Sequence, residues 1–466
     1  MTNNLILKNH DWTNAYNLEA KFRYIISEQE TYGWKMNVEK MKANQKDLEE
    51  KLLKLYDEIR LKVPRSAINQ KEIKKPLKKD GTPSTALYNW YNTLDLRMFR
   101  LDQVVGAFTR VEFKRINPNS SKQRIIALLK VKWTPTEWNY QKDKGGKIIY
   151  VDRKPIKTTP KLTEDSVLKC PLGQLMVEYT QMLHRSSLVT GLIEKLREDE
   201  TLGGGANTVG ANTGRCLHRV IANIPRPSSF YGEEIRDMFS VREGYIILGA
   251  DLEALENKLL GHFTHPLDNG VYAKRLNEED PHDKTMELFR ESNGIIIDRN
   301  TAKTINYALG FGAGVEKLKG ILEVTEALAR KLHKVWWNDK KTILDLKERL
   351  ITCMKGRSPL FIKGLDGRKV FVRSEKDVVN TLIQSAGSVV NKFVTVAVDE
   401  AIKQEGLDAH LVLNYHDEIN YEIREKDLDI IKDIINISIE KCNNHFNFKV
   451  PMGMDIKTGL TWKEVH

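Results

Sequence analysis

The chain is poor in cysteine and has no long apolar run. Its four cysteines, Cys170, Cys216, Cys353 and Cys442, lie far apart and form no CxxC pair. That spacing argues against a disulfide scaffold or a structural zinc site and suits a reducing compartment. No stretch approaches the roughly 18 apolar residues that a membrane span needs. The N-terminal Met1-Thr-Asn-Asn-Leu-Ile-Leu-Lys8 has no apolar core long enough for a secretory signal. No membrane partner is therefore expected. The glycine run in Thr201-Leu-Gly-Gly-Gly-Ala-Asn207 is not followed by GKS or GKT, so it is not a phosphate loop. No internal repeat is visible.

What is present suits a folded chain of about three domain-sized units: 466 residues, 41% hydrophobic and 29% charged. The net charge of +11 is unevenly placed. Residues 51–160 carry 25 Lys and Arg against 10 Asp and Glu, and the remainder is slightly negative. A basic block of this kind points to a polyanion, nucleic acid first. A solvated lysine-rich surface explains the same charge.

Leu18, Phe22, Ile25 and Ile26 fall on one helical face, Gly33-Trp34 breaks the pattern, and Asn37 is placed to cap a second helix reaching residue 60. Residues 61–110 are lysine-rich, hold Pro64, Pro76, Gly81 and Pro83, and cluster Tyr88, Trp90 and Tyr91. They read as an insertion that binds nucleic acid by charge and stacking or presents a partner surface. Residues 141–161 read as a basic loop or hairpin, and 171–198 as a helix.

Three elements carry chemistry. Tyr245-Ile-Ile-Leu-Gly-Ala250 is a short apolar run that reads as a buried strand, and it delivers Asp251 to a strand-to-helix junction. Leu411-Val-Leu-Asn-Tyr415 is a second strand, leading into His416-Asp417-Glu418 and a returning strand, so two acids sit at a hairpin tip. Acids at the ends of buried strands suit a two-metal clamp of hard oxygen ligands, although each alone is equally a turn residue. Between them, Arg299, Lys303, Tyr307 and Phe311 repeat every four residues. On an α-helix they share a broad face, with cations to meet a triphosphate and rings to stack on a base.

Together these residues resemble the motifs of family A DNA polymerases, the DNA polymerase I type. Asp251-Leu-Glu-Ala-Leu-Glu256 is similar to motif A, Arg299 through Gly312 to motif B, and His416-Asp417-Glu418 to motif C, in the same order. Thr213-Gly214-Arg215, Asn223-Ile-Pro225 and Asn380-x3-Gln384 match as well. Lys363-Gly-Leu-Asp-Gly-Arg-Lys-Val370 and Gln384-Ser-Ala-Gly387 look most like the replicative polymerases of short-tailed bacteriophages.

The resemblance implies an α+β right-hand fold with an antiparallel-sheet palm, helical fingers and a helical thumb. The thumb is expected over 1–200, with a basic insertion at about 61–110. The palm is expected over 201–265 and 378–466, and the fingers over 266–377. It implies template-directed DNA synthesis by two Mg²⁺ ions held by Asp251, Asp417 and the carbonyl of Leu252, with Glu418 close by. Arg299, Lys303, Tyr307 and His282 would hold the incoming dNTP, Lys303 would protonate the pyrophosphate, and Glu256 would exclude a ribose 2′-OH. Arg215, Phe311, Asn380, Gln384 and His416 would contact the primer–template. The presence of Glu256 favours DNA over RNA synthesis. The thumb-like helix begins near residue 17, so no room is expected for an exonuclease with its Asp-x-Glu strand. Either the exonuclease is a separate polypeptide or the chain is a fragment of a longer one; a separate exonuclease or processivity factor is one partner this leaves open. Related phage enzymes borrow thioredoxin through a thumb insertion, but residues 61–110 show no specific match, and direct DNA contact is simpler. The expected location is the cytoplasm, that of the host cell if the chain is phage-encoded. Glu253, where the family usually has Ser, has no assigned role.

Overall fold

The computed structural model describes residues 12–69, 72–92, 100–108, 111–144, 146, 148–152, 154–310 and 312–465. They fall into two compact units. One holds the described residues up to Lys42 together with those from Gly191 onward; the other is Ala43–Thr190. Both boundaries fall inside helices, Val38–Lys62 and Gly173–Ile193. Among the described residues no helix is long and apolar enough to cross a membrane.

In the first unit, α1 (Thr13–Tyr32) buries Phe22, Ile25, Ile26 and Gln29, the face foreseen from its spacing. It ends at Gly33, whose φ of +70° suits a residue without a Cβ. Asn37 Oδ1 then accepts from the Lys40 amide at 2.9 Å, the cap expected for the next helix. The central sheet is built by β1 (Tyr245–Leu252), followed by the helices α2 (Leu255–Asp268), α3 (Pro281–Asn293) and α4 (Arg299–Gly310). The long α5 (Val378–Gln404) leads to β2 (Ala409–Tyr415), β3 (Glu418–Arg424), α6 (Leu428–Phe446) and β4 (Met454–Gly459). The strand order is β2-β3-β1-β4, and every neighbouring pair is antiparallel.

Both faces of the sheet are covered, so β1 and β3 are buried over most of their length; β1 is largely apolar, whereas β3 alternates Ile419, Tyr421 and Ile423 with the buried polar Glu418, Asn420 and Glu422. Leu248, Ala250, Ile419, Tyr421 and Ile423 join Phe22, Ile25 and the buried residues of α5 and α6 in one core. Trp34, Phe239 and Trp462 form a separate buried aromatic cluster, with ring centroids 5.0 Å apart.

Within residues 1–200, the described residues up to Lys42 group with the sheet-bearing unit. Phe22, Ile25 and Ile26 of α1 pack into the sheet's core, and Gln29 ties α1 to the sheet: its Oε1 accepts from the Asn414 amide of β2 at 2.7 Å and its Nε2 donates to Gly204 O.

The second unit has its own core, which includes Ile59, Leu128, Trp133, Met176 and Tyr179. Its strands occur as two-stranded pairs: Ser66–Asn69 with Val111–Lys114, Trp138–Tyr140 with Lys157–Pro160, and Tyr150–Val151 with Lys154–Pro155. The last two form the hairpin read at 141–161, while the 61–110 region also holds the helix Thr85–Asn92.

Candidate active site

β1 brings Asp251 to its C-terminal end, where the register sets it across from Glu418 on β3 and Asp455 on β4. The Leu252 amide donates to Asp417 O at 3.1 Å. That bond closes the β2–β3 turn onto the end of β1, so the Asp251 and Asp417 segments lie side by side. Both aspartates are exposed, whereas Leu252 is buried. His416 takes the left-handed φ of +62° that a two-residue turn requires. Desolvation in the turn, reinforced by the Arg215 charge and opposed by Asp417 and Glu418, holds its imidazole below the ordinary pKa.

Glu418 is placed differently from the two aspartates. It is buried, and its Oε1 accepts from Asn420 Nδ2 and Trp462 Nε1, each at 2.8 Å. The Arg236 guanidinium lies 4.1 Å from the Trp462 ring. Glu418 is thus a buried, hydrogen-bonded carboxylate under the turn. Glu253 pairs with Lys258 at 3.0 Å, which accounts for an acid the sequence left without a role. Among the described residues no three His, Cys, Asp or Glu side chains converge into a ready metal cage. Two exposed carboxylates suit Mg²⁺, which keeps several waters and completes its shell with substrate phosphate.

α4 buries Ala302, Ile305 and Leu309, the last two in a cluster with Phe289, Leu318, Leu332 and Trp336. This anchoring leaves Arg299, Lys303 and Tyr307 on the exposed face, as the four-residue spacing foresaw. Phe311 lies outside the described residues. Arg299 is paired with Asp280, whose carboxylate also accepts from the His282 amide at 2.7 Å and caps α3. Burial works against ionisation of Asp280, yet Arg299 and the two capping amides hold its pKa below the usual range.

Four expected residues from four helices line one cavity: Glu256 of α2, His282 of α3, Tyr307 of α4 and Asn380 of α5. The His282 and Tyr307 ring centroids are 6.3 Å apart. Desolvation, reinforced by Arg299 and Lys303 and opposed by Asp280 and Asp283, lowers the His282 pKa. Gln384 follows Asn380 by one turn and is half-buried. Arg215 reaches Glu256 with Nη2–Oε1 at 3.3 Å.

Other supports were not read from the sequence. Buried Lys392 donates to the carbonyls of Thr208 and Gly214 at 2.7 Å and pairs with Glu19 of α1 at 2.6 Å. Ser388 adds a bond to Gly214 O at 2.8 Å, so the loop carrying Arg215 is clamped. A lysine amid the apolar residues of α5 was the available signal. His218, pushed down to about 4 by burial and by His416, packs 5.5 Å from the His416 ring.

The model for DNA polymerase family A matches residues 91–464. The chain is 29% identical to a DNA-directed DNA polymerase of Enterobacteria phage T3, over 78% of this chain and 55% of the relative. It is 28% identical to that of Escherichia phage T7, with the same coverage. The chain therefore spans about half the length of these relatives. Among solved structures, the POL domain of Pol1 from M. smegmatis, in complex with DNA primer-template and dNTP, aligns at a TM-score of 0.71 and 18% identity, covering 96% of this chain and 70% of that one. The likeness extends to the fold, the α+β right-hand architecture. The family-model match over most of the chain means that it belongs to the family A DNA polymerases.

Proposed function

We propose that the chain is a template-directed DNA polymerase that adds dNTPs to a primer 3′ end, acting in phage DNA replication in the host cytoplasm. The observation that carries this reading is the cavity shared by Glu256, His282, Tyr307 and Asn380, in the same unit as the exposed Asp251 and Asp417. Residues far apart in sequence converge there with the types a nucleotide needs.

In this reading the sheet is the palm and the helices around α4 are the fingers. Asp251, Asp417 and the Leu252 carbonyl would hold two Mg²⁺, which would supply charge stabilisation at the transferring phosphoryl group. Arg299, Lys303 and His282 bind the triphosphate, and Lys303 gives a proton to the leaving pyrophosphate. Arg299 is paired with Asp280 through one terminal nitrogen, and the N–H groups of its other terminal nitrogen are available for a phosphate. Glu256 closes the space beside the sugar. Glu418 acts through the turn it supports, as a positioning residue. Arg215, Phe311, Asn380, Gln384 and His416 meet the primer–template. The basic residues of 51–160 hold DNA backbone without reading sequence.

The test is primer extension with Mg²⁺ on a primed template, dNTPs against rNTPs. Extension with dNTPs alone supports the reading, and failure of both sinks it. A 3′-labelled mismatched primer without dNTPs tests the further expectation that these residues carry no excision activity.

A further inference from the structure

Asn306 lies between Lys303 and Tyr307 but is turned away from their exposed face. Its side chain has a full set of partners. Oδ1 accepts from Trp336 Nε1 at 2.8 Å and from Thr285 Oγ1 at 2.8 Å. Nδ2 lies 2.8 Å from Pro281 O and 3.0 Å from His282 Nδ1. Thr285 is fully buried and Trp336 nearly so.

These partners decide where a proton sits. An indole N–H only donates, so the amide atom facing Trp336 must be the oxygen. The amide nitrogen then faces Pro281 O, an acceptor, and His282 Nδ1. Since that nitrogen only donates, His282 Nδ1 must accept and so carries no hydrogen. The proton of the neutral ring is therefore on Nε2.

We propose that Asn306 is a positioning residue for nucleotide binding: it locks His282 as the Nε2–H tautomer, a neutral donor ready for a phosphate oxygen. The inference rests on the reading that His282 meets the incoming triphosphate. It makes that contact an uncharged donor beside the two cations, because the neutral ring donates through Nε2–H without first taking up a proton. The groups facing His282 are Asp280 and Asp283 on its own helix and Arg299 and Lys303 on α4. Burial, reinforced by the two cations and opposed by the two carboxylates, disfavours a charged ring, and the neutral Nε2–H tautomer still donates.

The direct test is nitrogen NMR of the full chain labelled with ¹⁵N-histidine, with the His282 signals assigned by their loss in His282→Gln. The expected pattern at neutral pH is a protonated Nε2 and a bare Nδ1. A proton on Nδ1 overturns the inference without any variant being made. In Asn306→Leu, checked for folding by its melting curve, the His282 signals should move toward a tautomer mixture, and an unchanged pattern counts against the lock. A hydrogen bond to a charged group is worth about tenfold or more in affinity. Partial loss of the tautomer should therefore raise the dNTP KM about three- to tenfold while kcat stays within about twofold. In a His282→Gln background Asn306→Leu should add nothing further to KM, and independent losses that multiply would refute action through His282. If His282→Gln itself leaves the dNTP KM unchanged, the nucleotide-binding reading fails instead, and the ¹⁵N pattern tells the two failures apart.

Discussion

The two units solve different problems. The unit with the sheet buries β1 and β3 on both faces and holds its chemistry-bearing residues on the ends of strands and on anchored helices. Asp251, Asp417, His282 and Tyr307 each project from an element fixed by packing or by backbone bonds. Among its described residues the Ala43–Thr190 unit pairs its strands two at a time, an arrangement of marginal stability alone. Its 138–160 hairpin leaves Tyr140, Ile148, Tyr150 and Val151 exposed among lysines. Chemistry demands placement to a fraction of an ångström, whereas backbone binding by charge tolerates a looser scaffold. Substitutions in the first unit should therefore change rate or selection, and those in the second should change affinity and its salt dependence.

The largest expected effect breaks catalysis alone. Asp251→Asn or Asp417→Asn keeps shape and removes a carboxylate charge that the proposed reading gives to metal binding. Single-turnover extension should fall by about a thousandfold or more, while primer–template affinity by fluorescence anisotropy stays within a few-fold. Near-normal extension by either variant would remove the metal assignment. An affinity collapse would show that binding and chemistry are not separated as the two units suggest.

Selection should shift next. Tyr307 stands one helical step beyond Lys303 and lines the cavity with Glu256. In the family resemblance its hydroxyl replaces the 3′-OH that a dideoxynucleotide lacks. A hydrogen bond to a charged group is worth about 1.5–3 kcal/mol, so Tyr307→Phe should cut the ddNTP/dNTP incorporation ratio roughly tenfold to a hundredfold. If Tyr307 only packs in the cavity, the ratio will not change.

A smaller shift is expected at the sugar. Glu256→Ala opens space and also releases Arg215, its partner at 3.3 Å. Ribonucleotide incorporation relative to dNTP should rise roughly tenfold, the scale on which pockets separate substrates differing by one small group. Glu256→Gln, which keeps the volume, should stay near the parent in single-nucleotide extension. An equal ratio in the parent and the alanine variant would refute the role.

How much of this was legible depended on how local the signal was. The strand ending at Asp251, the His416-Asp417 turn and the face of Arg299, Lys303 and Tyr307 follow from short apolar runs and helical periodicity, and the structure has all three. The Asn37 cap was equally local. What escaped depends on distant partners. Lys392 meets Glu19 across 373 positions, and Glu418 is oriented by Trp462, 44 residues on. Asn306 looked like one more residue of its helix, because its role arises only when α3 and Trp336 pack against it. The change of compact unit near residue 43 has no local mark in the sequence, because a single helix, Val38–Lys62, crosses it with no proline or glycine at the place.

The smallest effect tests the other half of the comparison. Lys142, Lys144 and Lys154 are exposed on the 138–160 hairpin, beside the exposed Tyr140 and Tyr150. If this surface lies on DNA backbone, each lysine that neutralises a phosphate releases counterion, and the slope of log K against log salt carries about 0.9 per contact. Changing all three to Gln should make that slope shallower by about one for each lysine that meets a phosphate. Affinity should drop by a few-fold at low salt and hardly at all at high salt. Extension from saturating DNA should remain at the parent rate, because none of the three lines the nucleotide cavity. A parallel salt slope would show that the hairpin does not meet DNA, and would turn its exposed aromatic and basic residues toward a protein partner. A lower single-turnover rate at saturating DNA would contradict the separation itself, because a residue of the second unit would then be acting on chemistry.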